Sequence, residues 1–465
     1  MSTSGALSRI VDIAVRYRAG LTPLQNGHYT VYHDDLAAVA RRLGHDVLIL
    51  CGTAGPAAEG VVPCLPEVGA AAQAKELAAR VRPGDVVMAY EGSVALLEAL
   101  VPHAEAAPDV TFVVNLFRPE RGIDASGTFD ETRRDELRAV GARLPANLRI
   151  TADTAERVVL ARRAGLPVRA AWALHSIVAT VPPPSRGRRR EGGPLRVLVP
   201  LRPGGFDPGP VGDVARVAHH LRRGTGDRVR ISVTRPADPS LKARVRGDRL
   251  ARLGVDLLVP SPDRTAYAAM FADHDVVWIA GGYGFTDGYT TQSSGKTLDA
   301  LAAGVPVVGT AGTTTAREPL RWTGEPLGVD GWDQAADVLR SLIDRAGTLR
   351  ARLSAQEDAI RAAYSPEATI RRVLEVAALT GDGWDEPLLD RPADLSTSAG
   401  RKAPNGATTA GPRRTGVDRV RSEVVVRRTV RIPVSRCARW ALRQRLSRLK
   451  AALISRRRQA PPSSP

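Results

Sequence analysis

Strand-like and helix-like periods of apolar positions alternate along the first 180 residues of this 465-residue chain. Short runs of Val, Ile and Leu predict buried strands, and apolar residues spaced every three to four positions predict helices. The predicted strands are residues 10–17, 46–51, 85–90, 110–117, 148–151 and 169–174, and the predicted helices are residues 29–43, 75–81, 93–100 and 154–164. This alternation indicates a parallel sheet that is covered by helices on both faces.

The alternation stops at residues 181–194, where three successive prolines are followed by a run of arginine and glycine. We interpret this segment as a linker between two domains, the alternative being a basic contact with a partner. Strands are predicted again at residues 195–201, 229–234, 255–259, 275–280 and 306–309, and helices at residues 332–343, 348–363 and 366–379. The sequence therefore predicts the α/β fold class, with Rossmann-like domains at residues 1–180 and 195–380.

The most informative segment of the second domain is residues 267–309. A predicted buried strand, residues 275–280, leads into a glycine-rich loop, and Ser294, Gly295, Lys296 and Thr297 then open a short helix. Open α/β sheets bind ligands at such a strand end, and the N–H groups of the helix N-terminus attract phosphate. Gly295 lets a ligand come close, and Lys296 adds a positive charge. The segment is not a P-loop, because position 290 is Thr where that motif needs Gly.

The helix and the strand after it carry the sequence Asp-Ala-Leu-Ala-Ala-Gly-Val-Pro-Val-Val at residues 299–308. This resembles the Glu-Ala-Leu-Ala-x-Gly-x-Pro-Val-Val signature of retaining GT-B glycosyltransferases, the group 1 family. Many members place another Glu eight residues earlier, where this chain has Thr291. The resemblance covers residues 1 to about 380, diffusely in the first half. It implies two Rossmann-like domains whose parallel sheets face across a cleft, and a nucleotide-diphosphate sugar as donor, with no obligatory cofactor or metal.

The resemblance also implies which residues form the donor site. Asp299 is expected to accept hydrogen bonds from the ribose, and Ser294, Gly295, Lys296 and Thr297 are expected to hold the diphosphate. The family often places an Arg and a Lys after the first strand of the second domain. Arg202 matches the Arg, but Phe206 and Asp207 stand near the position of the Lys. Lys296 is expected to replace that missing cation, so Arg202 and Lys296 are the expected catalytic cations.

Candidates for the acceptor side follow three predicted strands of the first domain. Asn26, Gly27 and His28 come after the first strand and just before a helix, and in the family this loop approaches the diphosphate and the acceptor. His28 is the candidate to orient the acceptor or donate to a phosphate, the alternative being a plain capping loop. Glu91 follows the third strand and Arg118 the fourth, which makes both candidate acceptor-binding residues.

The net charge of +17 is concentrated at the end of the chain. Residues 391–465 hold 19 Lys and Arg against 3 Asp and Glu, whereas the rest holds 47 against 46. Residues 381–465 are therefore expected to be a largely disordered basic tail. Within it, residues 435–458 place Leu at helical spacing among nine positive charges, which predicts an amphipathic helix on an anionic membrane surface. The alternative is a basic tail that binds nothing in particular, or nucleic acid.

Several features bear on location and on function class. No charge-free apolar stretch reaches the length of a membrane span, and charges interrupt the N-terminal apolar run. A cytoplasmic protein is therefore expected, with peripheral association at the inner face of the membrane as the further expectation from the basic tail. Three cysteines and eight histidines show no metal-ligand spacing. The leading function is a retaining glycosyltransferase whose acceptor is, by analogy, a lipid-linked or cell-envelope saccharide. The alternatives are a nucleotide-sugar 2-epimerase and a non-catalytic protein that binds nucleotide sugar or glycan; a nucleic-acid binder lacks a recognised motif.

Overall fold

The computed structural model describes residues 9–18, 28–52, 59–65, 69–116, 131–154, 157–158, 161–162, 164–171, 175–183, 193–201, 208–237, 239–280 and 294–378. Within them, the chain forms two parallel sheets that belong to one compact unit. The basic tail, with its expected helix at 435–458, lies outside these residues.

The first sheet has seven strands in the order β3-β2-β1-β4-β5-β6-β7. They are β1 (Ile10–Arg18), β2 (Val47–Gly52), β3 (Val61–Pro63), β4 (Val86–Gly92), β5 (Thr111–Leu116), β6 (Leu148–Ala152) and β7 (Val168–Ala171). Its described helices are α1 (His28–Arg42), α2 (Ala70–Ala78), α3 (Val94–Ala106) and α4 (Glu131–Gly141). Strand order reverses at β1, where Ile10 pairs with both Val47 and Val86, so the topological switch point lies beside β1.

The second sheet has six strands in the order β10-β9-β8-β11-β12-β13. They are β8 (Leu195–Val199), β9 (Val229–Thr234), β10 (Asp256–Leu258), β11 (Val276–Trp278), β12 (Val307–Thr310) and β13 (Gly328–Val329). The helices of this half are α5 (Pro208–Thr225), α6 (Leu241–Arg252), α7 (Arg264–Ala272), α8 (Gly295–Ala302), α9 (Thr314–Thr323), α10 (Trp332–Ser354) and α11 (Glu357–Ala363). The central position of β8 repeats that of β1, so each half has a Rossmann-like switch point.

Residues 332–363 differ from the sequence prediction. Two helices were expected, at 332–343 and 348–363, but α10 runs unbroken to Ser354 and α11 begins at Glu357. The apolar stripe explains the continuity, because Leu342, Ala346, Leu349 and Leu353 are all buried. Burial along this stripe outweighs the cost of about 1 kcal/mol for Gly347 inside a helix.

The last described helix, α12 (Pro366–Ala378), returns to the first half. It packs against α1, β4 and β5, and Arg42 donates to Glu367 at 3.0 Å. One hydrophobic cluster accordingly includes Ile10 and Val113 of the first sheet together with Leu198 and Leu301 of the second half. The two halves therefore share part of their core, and the chain passes between them twice.

Candidate functional site

Helix α8 begins where the glycine-rich loop after β11 ends. Ser294 precedes the helix, and its carbonyl oxygen accepts from the N–H groups of Thr297 at 2.9 Å and Leu298 at 3.1 Å. The Ser294 side chain makes no capping hydrogen bond. The N–H groups at the start of a helix point out of its N-terminal end, where the helix dipole favours an anion. The loop itself, residues 281–293, lies outside the described residues.

Lys296 connects this helix to the carboxyl end of β8. Its half-buried ammonium donates a hydrogen bond to the carbonyl oxygen of Pro200, the residue directly after β8. Because β8 is a central strand of its sheet, Lys296 lies at the edge where open α/β sheets bind ligands. Pro200 is two residues before Arg202, so the structure brings Lys296 to the loop that contains the other expected cation. Arg202 itself lies outside the described residues.

Gly295 faces a tyrosine of the first half. A Cβ atom on Gly295 would lie 3.2 Å from the hydroxyl of Tyr32, which is on the second turn of α1. The Tyr32 ring stacks on Tyr90 at a centroid distance of 6.0 Å and meets His175 edge-on at 4.2 Å. The start of α1, where the Asn26–Gly27–His28 loop was predicted to act, and the start of α8 therefore lie close together. Sequence reasoning missed Tyr32, although it lies four residues after His28 and hence on the same helix face.

Thr297 presents a buried hydroxyl that is left without a hydrogen bond. The residue is 1% exposed, and within the described part of the chain its Oγ1 has no partner. Leaving a buried hydroxyl unpaired costs about 1–3 kcal/mol. The first turn of α8 therefore combines this unpaired hydroxyl with the ammonium of Lys296 at a helix N-terminus, and each of these groups can donate to an anion.

In contrast to the Thr297 hydroxyl, the carboxylate of Asp299 in the second turn of α8 is hydrogen-bonded within the protein. It is 1% exposed, and its Oδ1 accepts from Ser176 Oγ at 2.7 Å and Ile177 N at 3.0 Å. The hydroxyl of Tyr267 donates to Oδ2 at 3.1 Å. Burial raises the pKa of Asp299 from its ordinary value of 3.8 to about 6, although these hydrogen bonds act to lower it. The carboxylate predicted to bind ribose is thus already engaged by three groups of the protein.

Buried polar residues also follow Tyr32 along α1. His33 Nδ1 is 2.6 Å from Asp12 Oδ2, and both residues are fully buried. Asp35 accepts from Arg264 of α7, which links the two halves, and its other oxygen lies 3.7 Å from His175 Nε2. Burial lowers the pKa of His175, so the neutral imidazole is favoured there. No local sequence pattern predicts this cluster, because its members come from four separate segments of the chain.

The expected acceptor residues are only partly described. His28 begins α1 and Glu91 lies in β4, but their side chains are outside the described set. Asn26, Gly27, Arg118 and Thr291 lie wholly outside it. At the end of β5, Asn115 is buried and donates to the Tyr90 carbonyl at 2.8 Å, which ties the carboxyl ends of β4 and β5 together.

The described residues contain no group of three or more His, Cys, Asp or Glu side chains that could hold a metal ion. Among the same residues, no helix has both the length and the apolar character needed to cross a membrane.

The sequence matches no protein-family model and no curated protein. Its fold, in contrast, is found among solved structures. α,α-Trehalose 6-phosphate synthase from Burkholderia multivorans has a TM-score of 0.54 at 13% identity, over 80% of this chain and 96% of that one. This likeness shows the fold alone, and it confirms the predicted two-domain GT-B α/β class.

Two other structures score lower. A putative UDP-N-acetylglucosamine 2-epimerase from Listeria monocytogenes has a TM-score of 0.47 at 12% identity, over 79% of this chain and 95% of that one. TarM of S. aureus, crystallised with UDP, has a TM-score of 0.46 at 12% identity. That match covers 67% of this chain and 59% of TarM.

Proposed function

We propose that this chain is a retaining glycosyltransferase that moves a sugar from a nucleotide-diphosphate sugar to a hydroxyl acceptor. The observation that carries the proposal is the first turn of α8. A half-buried ammonium and a buried, unpartnered hydroxyl meet there at a helix N-terminus, next to a central strand end. Such a set of donors suits a diphosphate better than a neutral ligand, because every group in it stabilises negative charge.

The proposed chemistry is charge stabilisation and positioning. As the bond between the anomeric carbon and the phosphate oxygen breaks, negative charge develops on the diphosphate. Lys296, Thr297 and the first N–H groups of α8 stabilise that charge, with Arg202 in support. The acceptor oxygen attacks the anomeric carbon on the face that the diphosphate leaves, and its proton passes to a phosphate oxygen. No protein nucleophile, metal or obligatory cofactor takes part, and retention rests on the resemblance of residues 299–308 to the group 1 signature.

The acceptor is proposed to bind on the first half. Tyr32 reaches Gly295 from α1, so the carboxyl edge of the first sheet lies beside the proposed diphosphate site. The candidates on that edge are Asn26, Gly27, His28, Glu91 and Arg118, with His28 orienting the acceptor hydroxyl. A lipid-linked or cell-envelope saccharide remains the proposed acceptor class.

A second candidate function is non-catalytic binding of a nucleotide sugar. Thr291 replaces one carboxylate of the family pattern, and the other, Asp299, is occupied by Ser176, Ile177 and Tyr267.

A thermal-shift panel of UDP, GDP, ADP, dTDP and their sugars identifies the base, because a ligand that binds only the folded state raises its stability. Turnover of the selected nucleotide sugar, with and without acceptor, then separates a transferase from a binder and from a 2-epimerase. No stabilisation by any nucleotide would contradict the proposal.

The basic tail is proposed to hold the enzyme at an anionic membrane surface, where each Lys or Arg contributes about 1 kcal/mol. A chain truncated after Thr380 should bind nucleotide as the full chain does but should no longer sediment with anionic liposomes at low salt. Neutral liposomes are the control for the role of charge. If the full chain ignores anionic liposomes, or the truncated chain sediments equally well, the tail is not a membrane tether.

A further inference from the structure

The two passages of the chain between the sheets touch each other. The first passage leads from β7 to β8 and is described over residues 175–183, with a 3₁₀ turn at Val178–Thr180. The second runs through Tyr364 and Ser365, between α11 and α12. The N–H of Ser176 donates to the carbonyl oxygen of Tyr364 at 2.8 Å, so the passages are joined by a backbone hydrogen bond. Any rotation of one half relative to the other therefore acts on these two passages.

The first passage is anchored to the helices of the second half. The Ser176 hydroxyl donates to Asp299 and accepts from the N–H groups of Val178 at 3.1 Å and Ala179 at 3.3 Å. The guanidinium of Arg361 donates to the carbonyl oxygens of Val178 and Val181, and also to Ala302 at the end of α8 at 3.1 Å. Asp299, in the second turn of α8, and Arg361, which contacts the last residue of α8, therefore both link this helix to the same short segment.

We propose that Asp299 is a positioning residue that fixes the first turn of α8 to the paired passages, rather than a ligand of the ribose. The inference rests on the proposed function, because it concerns how the diphosphate site is held. Asp299 lies one helical turn from Gly295, so displacement of its carboxylate moves the N-terminus of a short, eight-residue helix. A site built from donors must be held to within about 0.5 Å, which gives such an anchor a direct effect on binding.

The geometry separates this role from the one that the sequence suggests. A ribose diol could reach Asp299 only by displacing Tyr267 or the Ser176 and Ile177 donors, since the residue is 1% exposed. Asp is also one methylene shorter than the Glu of the family signature, which keeps the carboxylate inside the protein. The three present hydrogen bonds require an acceptor at Oδ1 and a partner for the Tyr267 hydroxyl at Oδ2. An amide at this position meets both requirements, since its oxygen accepts and its NH₂ donates to the Tyr267 oxygen.

The test compares Asp299→Asn, Asp299→Ala and Ser176→Ala by calorimetry with two probes, UDP and inorganic pyrophosphate. Pyrophosphate lacks ribose, so a ribose ligand cannot affect its binding. We expect Asp299→Ala to weaken both probes by the same factor, about tenfold, and Ser176→Ala to weaken both by a smaller common factor. Asp299→Asn should stay within about twofold of the wild type. Equal loss of UDP affinity in Asp299→Asn and Asp299→Ala, with pyrophosphate binding unchanged, would make Asp299 a ribose ligand and overturn the inference.

Hydrogen exchange tests the anchor without any ligand. In Asp299→Ala the amide of Ile177 and the first amides of α8 should exchange about tenfold faster together, while the amides of β8 and β9 keep their protection and show that the fold is intact. Unchanged exchange at Ile177, or faster exchange there without any change in α8, would refute the coupling. If the wild type binds neither probe, the proposed function fails, and this experiment still decides whether Asp299 anchors the helix.

Discussion

The first and second turns of α8 use their polar groups in opposite ways. In the first turn, the Thr297 hydroxyl is buried without a described partner and the Ser294 side chain makes no capping bond. In the second turn, Asp299 is equally buried, yet it accepts three hydrogen bonds from two other segments. Within the described residues, α8 therefore has an unpaired hydroxyl in its first turn and a fully engaged carboxylate in its second.

We interpret this difference as a division between groups that bind a ligand, in the first turn, and groups that hold the helix in place, in the second. Natural proteins pair nearly all buried polar atoms, so an unpaired one calls for an explanation such as a missing ligand. A carboxylate with three donors needs no such explanation, whatever role a sequence signature gives it.

The raised pKa of the Asp299 carboxyl should make the stability of the folded protein depend on pH. The pKa of Asp299 is raised from 3.8 to about 6 in the folded protein, so its contribution to stability is fully present below pH 4 and is lost as pH rises through 6. Asp299→Asn cannot titrate. The unfolding free energy of the wild type, relative to that of this variant, should therefore fall by up to about 3 kcal/mol between pH 4 and pH 7. Denaturant unfolding at both pH values measures it, and a constant difference would show that Asp299 does not titrate in this range.

The ammonium of the first turn should dominate diphosphate affinity. Hydrogen bonds to charged groups contribute about 1.5–3 kcal/mol, so Lys296→Ala should weaken diphosphate binding about ten- to hundredfold. Lys242 offers a control of equal charge, because it is exposed on α6 and lies outside the first turn of α8. Calorimetry with pyrophosphate should show no change for Lys242→Ala. Equal losses in both variants would mean that binding depends on net charge alone.

Removal of the Thr297 hydroxyl should stabilise the free protein and weaken diphosphate binding. Thr297→Val keeps the shape and the branched Cβ but removes the hydroxyl. Because that hydroxyl is unpaired in the free protein, its removal should raise the unfolding free energy by about 1 kcal/mol. The same change should lower diphosphate affinity about fivefold, since the ligand loses a donor. A stabilised variant with unchanged affinity would place the ligand away from Thr297.

Local patterns sufficed to predict the fold and the position of α8. The Val- and Ile-rich strands, the glycine-rich loop and the signature at residues 299–308 are all short-range features, and the two-sheet architecture follows from their order. The use made of Asp299 could not be predicted in this way. Its partners Ser176 and Tyr267 lie 123 and 32 residues away in sequence, and nothing in their own surroundings marks them. Tyr32 and Arg264 were missed for the same reason, because each acquires its role only when the halves meet.

The most direct test of the account is a crystal structure of the chain with a bound nucleoside diphosphate. We expect the diphosphate at the first turn of α8, within hydrogen-bonding distance of Thr297 Oγ1, the Lys296 ammonium and the first N–H groups of the helix. Asp299 should remain bonded to Ser176, Ile177 and Tyr267. A diphosphate bound elsewhere would contradict the proposed function, and a ribose hydroxyl on Asp299 would contradict its role as an anchor.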